Sequence, residues 1–131
     1  SAASDVYKRQ IYMNEQLKRS LSIWGADIDG AVRRFAGNEA LYKKFLYKFL
    51  QDKTYESLSE AVKNGDTEEA MRASHTLKGI TGNLGLNPLF SLCSDYVNAI
   101  RSGELSKLPD LYEKIQISYQ AVTQILKENE G

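Results

Sequence analysis

Histidine, cysteine and tryptophan each occur once in the 131 residues, and proline twice. A single cysteine, Cys93, leaves no internal disulfide to form, and its apolar helical surroundings are those in which cysteine serves as a small hydrophobe. An excess of one charge sign is also missing. Seventeen Lys and Arg face seventeen Asp and Glu, so no global field draws the chain to nucleic acid or an anionic membrane, and a partner must be recognised locally. No run approaches the ~18 apolar residues of a membrane span, and the N-terminus lacks the apolar core of a signal peptide, so a cytoplasmic protein without membrane insertion is expected. With no second histidine, glycine-rich nucleotide loop or metal-ligand cluster, an autonomous enzyme is disfavoured, and neither cofactor nor metal is expected within the chain.

Strand-like alternation is absent as well. The apolar residues recur at spacings of three and four, which predicts an all-α chain, and 42% hydrophobic residues suffice for one core. Residues 1–12 are small and polar, and are expected to be a disordered or extraneous leader ahead of a domain spanning 13–131; an ordinary flexible terminus has the same composition. Ile11, Leu17, Leu21 and Trp24 mark a first helical stretch. A short helix follows from Asp27 to Phe35, capped by Asp27 or Asp29 and ended by Gly37. Asn38 then caps what is expected to be the longest helix, with an apolar stripe through Leu41, Phe45, Phe49, Leu58 and Val62 toward Asn64-Gly65. Asp66 caps a third helix, with Glu68 and Glu69 in its first turn where the dipole favours negative charge, running to about Gly85. Asn87-Pro88 reads as a cap plus first-turn proline for a helix ending near Arg101. A last helix begins near Pro109, turns Leu111, Ile115, Tyr119, Val122 and Ile125/Leu126 inward, and frays in KENEG. Four substantial helices on short turns pack most simply as an antiparallel four-helix bundle, with the short N-terminal helical segments across one end. The aromatic series Tyr42, Phe45, Tyr47, Phe49 and Tyr55 reads as core and rim rather than a cofactor box.

The helix DTEEAMRASHTLKGITGNLG, starting at Asp66, separates into two faces. At about 100° per residue, Ala70, Ala73, Leu77, Ile80 and Leu84 share the core face, while His75 lies about 160° from Leu77 and is therefore expected in solvent. Lys78, Gly79 and Gly82 follow on the histidine's side, one and two turns along. A glycine inside an exposed helix costs about 1 kcal/mol relative to alanine, so two on one face need a reason. Their missing side chains would clear a flat approach to the imidazole, and Lys78 would put a positive charge near a transferring phosphoryl group. Met71, one turn before His75, and Leu86, about three turns after it, are apolar residues that would extend such a docking patch. Lys78 has the plain alternative of a solvated lysine, Gly85 reads as a helix terminator, and Asn83 as a helix-end residue or an exposed one.

The segment SHTLKGITGNLG, residues 74–85, resembles the signature of histidine-phosphotransfer domains of multistep phosphorelays. IDGAVRRFAGNEALYKKFLYKFL and NGDTEEAMRASHTLKG resemble the family's approach to that signature, so the similarity covers roughly residues 28–101. The resemblance implies a phosphorelay intermediate: His75 accepts a phosphoryl group from a receiver-domain aspartate and passes it to another receiver, with Lys78 as the phosphate-side cation and Gly79 and Gly82 as access positions. It further implies response-regulator receiver domains and an upstream hybrid histidine kinase as partners. Mg²⁺ would sit in the receiver, not here. A monomer is expected. In one respect the chain departs from the family. Many members carry Gln or Glu where this sequence has Val97, and that side chain orients the histidine ring; Asp95, Asn98 or water would have to substitute. The alternative reading is therefore a helical adaptor that binds receivers without efficient transfer.

Overall fold

Side-chain caps set most of the helix starts in the computed structural model, which describes residues 2–4 and 12–130. The Asn14 carboxamide accepts from Leu17 N–H at the head of α1 (Glu15–Trp24), and Asp27 accepts from Gly30 N–H at the head of α2 (Ile28–Arg34). Asn38 caps α3 (Glu39–Lys48) and Asp66 caps α5 (Thr67–Asn83) in the same way. Between them lies α4 (Thr54–Lys63), and after them α6 (Asn87–Arg101) and α7 (Leu108–Glu128). The expected leader at 1–12, with the expected Ile11 start, lies outside the described residues except for 2–4 and Tyr12.

Helices α4 to α7 alternate in direction and form the four-helix bundle, with α5 packed between α4 and α6, and α6 against α7. Leu58, Leu77, Leu89, Cys93, Ile115, Val122 and Leu126 are fully buried between them. The N-terminal helices close the end where the α5–α6 turn meets the C-terminus of α7. From them, Leu17, Leu21, Ala31, Tyr42 and Leu46 enter the same core. At this end the buried Tyr42 hydroxyl donates to Leu84 O at 2.8 Å, and Asp27 N–H donates to Gly85 O at 2.9 Å.

Five sequence expectations change. The helix predicted from Asn38 to Asn64 is broken: it tightens into a 3₁₀ turn at Phe49–Gln51, turns extended at Asp52, and restarts at Thr54, whose N–H is taken by the Asp52 carboxylate at 2.8 Å. The longest helix is instead α7, of 21 residues. Its expected fraying does not occur before Asn129, whose carbonyl accepts from the Tyr47 hydroxyl and whose amide donates to Ile125 O. In α3 the buried positions are Tyr42 and Leu46, one position round from the predicted Leu41 and Phe45, which are 37% and 41% exposed, whereas Phe49 and Leu58 are buried as the predicted stripe requires. Asn87 supplies no side-chain cap, although Pro88 does occupy the first turn.

Candidate functional site

His75 projects from the middle of α5 into solvent, and among the described residues its ring takes part in no hydrogen bond or ion pair. The exposure follows from the helix it sits on. Ala70, Ala73, Leu77 and Leu84 are buried as the periodicity requires, joined by Ser74 and Thr81, whose hydroxyls bond back to carbonyls of their own helix. Burying that face drives His75 outward.

Lys78 is half-buried one turn on and has no ion-pair partner among the described residues. Gly79 is exposed, and a Cβ built there meets nothing within 4 Å. Met71 is half-buried rather than open. The other two expected docking positions differ from Gly79, and Leu86 requires correction. A Cβ at Gly82 would lie 3.0 Å from Phe90 Cδ2 and 3.1 Å from Cε2, so that half-buried glycine makes room for a ring of α6. Leu86 is fully buried. The reason is a Schellman turn: Leu86 N–H bonds Thr81 O, Gly85 N–H bonds Gly82 O, and Gly85 adopts φ +70°. The chain reverses there, and the helical projection that placed Leu86 outside no longer applies beyond Gly85.

The contact between Gly82 and Phe90 also fixes the register of α6 on α5. Seven residues back along α5 and seven forward along antiparallel α6 place His75 level with Val97. Val97 is fully buried and its aliphatic side chain offers the imidazole no hydrogen bond. Neither proposed substitute stands in its place. Asp95 and Asn98 line a groove between α6 and α7 together with Ser102, Glu104 and Asp110, on a different side of α6.

One neighbour of the site was not legible as such. Arg34, at the end of α2, donates from Nη2 to Gly82 O at 2.8 Å and from Nε to Asn83 O at 3.2 Å, reaching the last turn of α5 from 48 and 49 residues away. In the sequence it is one of two adjacent arginines near a short helix's end, with nothing to single it out. Cys93 is fully buried, and burial pushes its thiol up to about 12, so it stays protonated as a core side chain. Among the described residues no group of three or more His, Cys, Asp or Glu side chains could hold a metal ion, and no helix is long and apolar enough to cross a membrane.

A family model described as Hpt domain matches residues 49–125. The match spans the whole of α4, α5 and α6 and most of α7, with His75 inside it. Comparison with curated proteins and with solved structures finds no significant match.

Proposed function

The chain belongs to the Hpt domain family, a family of phosphotransfer in two-component relays, and on that premise we propose that His75 is the phosphoacceptor of a phosphorelay. The observation that carries this reading is an exposed imidazole beside Gly79, where the helix presents no side chain to an approaching protein. An in-line displacement needs the attacking nitrogen, the phosphorus and the leaving oxygen to lie close to one line, which requires the donor's phosphoaspartate to come down onto the helix surface. A ring nitrogen of His75 forms the N–P bond as the P–O bond to the aspartate breaks, and the bonding pair leaves on the carboxylate. The same step in reverse hands the phosphoryl group to an aspartate of a second receiver domain. Lys78 lies within a turn of the ring and offsets charge on the phosphoryl oxygens. The acidic pocket and Mg²⁺ belong to the docked receiver in this reading, so the chain acts as a carrier rather than a kinase.

The test is incubation with phosphorylated receiver domains followed by intact-mass analysis. Wild type is expected to gain one acid-labile phosphoryl group and His75→Gln none, with an unchanged far-ultraviolet dichroism spectrum because the residue is exposed. Lys78→Ala should slow transfer more than it weakens receiver binding; equal losses would count against its role. If no cognate receiver phosphorylates wild type, the carrier reading fails.

A second reading, an adaptor that binds receivers without efficient transfer, is favoured by Val97, whose buried aliphatic side chain offers the ring no hydrogen bond. Val97→Gln distinguishes the two. A large gain in rate supports impaired transfer in the native chain, and an unchanged rate shows that orientation by this position is not needed.

A further inference from the structure

Arg34 binds carbonyls on both sides of the direction in which His75 points. At about 100° per residue, Gly82 lies about 20° from the azimuth of His75 and Asn83 about 80° on the other side, with Gly79 between them. A guanidinium that holds both carbonyls therefore closes the C-terminal end of the same exposed strip. Seven residues at about 1.5 Å each put the Gly82 carbonyl about 10 Å along the axis from His75. A protein interface of ordinary size covers about 800 Å² on each partner, a disc of about 16 Å radius, so a domain centred on His75 also covers Arg34.

We propose that Arg34 is a docking residue of the His75 face, which presents a pre-oriented guanidinium to a carboxylate of the incoming receiver domain. This rests on the receiver-docking reading above. Of the five guanidinium N–H groups, two are engaged by the carbonyls and three remain, and the side chain is exposed. Among the described residues no carboxylate forms an ion pair with it. Lys78 also lacks a carboxylate partner, and Lys48, over the Phe45 ring at 5.0 Å, borders the groove that Ile80 and Asn83 line beside the strip. Asp52 lines that groove beside Lys48, and Glu68 lies on the histidine's side two turns back, but among the described residues neither pairs with Arg34 or Lys78, so in a chain of zero net charge these two cations stay available to a partner. The planar fork of arginine matches a carboxylate in two parallel hydrogen bonds, and here its side-chain entropy is already lost on folding, so docking forfeits less of it.

The experiment measures affinity of the full chain for the receiver domain that phosphorylates His75, at low and moderate salt, for wild type, Arg34→Gln and Arg34→Lys. Arg34→Gln keeps an amide donor for one carbonyl but removes the charge. Its Kd is expected to rise about tenfold at low salt, with a flatter salt dependence and little change in thermal midpoint. Arg34→Lys, with the charge but not the fork, should fall between. Unchanged affinity in Arg34→Gln while wild type binds and transfers overturns the docking role and leaves the carrier reading intact. Equal affinity losses in both variants, tracking a lowered midpoint, also overturn it and reduce Arg34 to a helix cap. If no receiver binds or phosphorylates wild type, the carrier reading falls and this inference with it.

Discussion

A methyl group added at Gly79 would point into solvent, whereas one added at Gly82 would press on the Phe90 ring. The two glycines thus answer to different demands, although both interrupt the same helix on the same side. Gly79→Ala should stabilise the fold by about 0.5–1 kcal/mol, the ordinary helix-interior difference between the two residues, while slowing phosphoryl uptake by placing a side chain on the approach to His75. Gly82→Ala should lose most or all of that gain, because the ring must shift by a few tenths of an ångström to admit the methyl. Urea unfolding of both variants checks the order; equal stabilisation would show that Phe90 yields freely. Helical spacing alone treats these positions as equivalent. Their difference lies in a residue of another helix, whose packing no count along α5 can supply.

The end of α5 is held by an element that sequence reading placed only loosely. A helix leaves its last carbonyls without partners of its own, and here those of Gly82, Asn83, Leu84 and Gly85 accept from Arg34, Tyr42 and Asp27. Tyr42 can donate only because α3 turns it inward. Its predicted stripe through Leu41 and Phe45 and the observed one through Tyr42 and Leu46 differ by a single position, a rotation of about 100°, and both are apolar enough to satisfy the periodicity. The choice falls to packing: Phe35 meets Tyr42 edge to face at 5.7 Å between centroids, and the hydroxyl finds Leu84 O. Burial holds the Tyr42 phenol well above its ordinary titration range, so it remains a donor. Tyr42→Phe keeps the ring and orphans a carbonyl in a buried contact. A loss of about 1–3 kcal/mol in urea unfolding is expected, with faster amide exchange near residues 81–86. A loss confined to global stability, with no local change in exchange, would argue that the hydroxyl does not hold this turn.

At the scale of the molecule, the family match begins at residue 49, but the core does not. Leu17, Leu21, Tyr42 and Leu46 are buried with Leu77, Leu89 and Leu126, so α1 to α3 should unfold together with the bundle. The urea transition followed by Trp24 fluorescence should coincide with that followed by dichroism, and an earlier fluorescence change would mean that the N-terminal helices detach first. Alkaline pH should weaken the whole fold. Burial raises the Cys93 thiol from 9.0 and the Tyr47 phenol from 10.0 to about 12 each, so above pH 9 the unfolded chain sheds protons that the native one keeps. Their contribution is full below pH 9 and lost as pH approaches 12, and the urea midpoint should fall across that window; a flat midpoint would refute it. The sequence by itself determined the all-α class, most helix ends outside the broken Asn38–Asn64 stretch, the four-helix bundle and the outward turn of His75, because periodicity, caps and glycine stops act over a few residues of one chain segment. Only the tertiary structure decided that Leu86 is buried, that Gly82 serves Phe90, that Asp95 and Asn98 face another groove, and that Arg34 closes the histidine's strip. Each of those depends on which distant segment lies alongside, and a local repeat of three or four residues carries no record of its neighbour across the core.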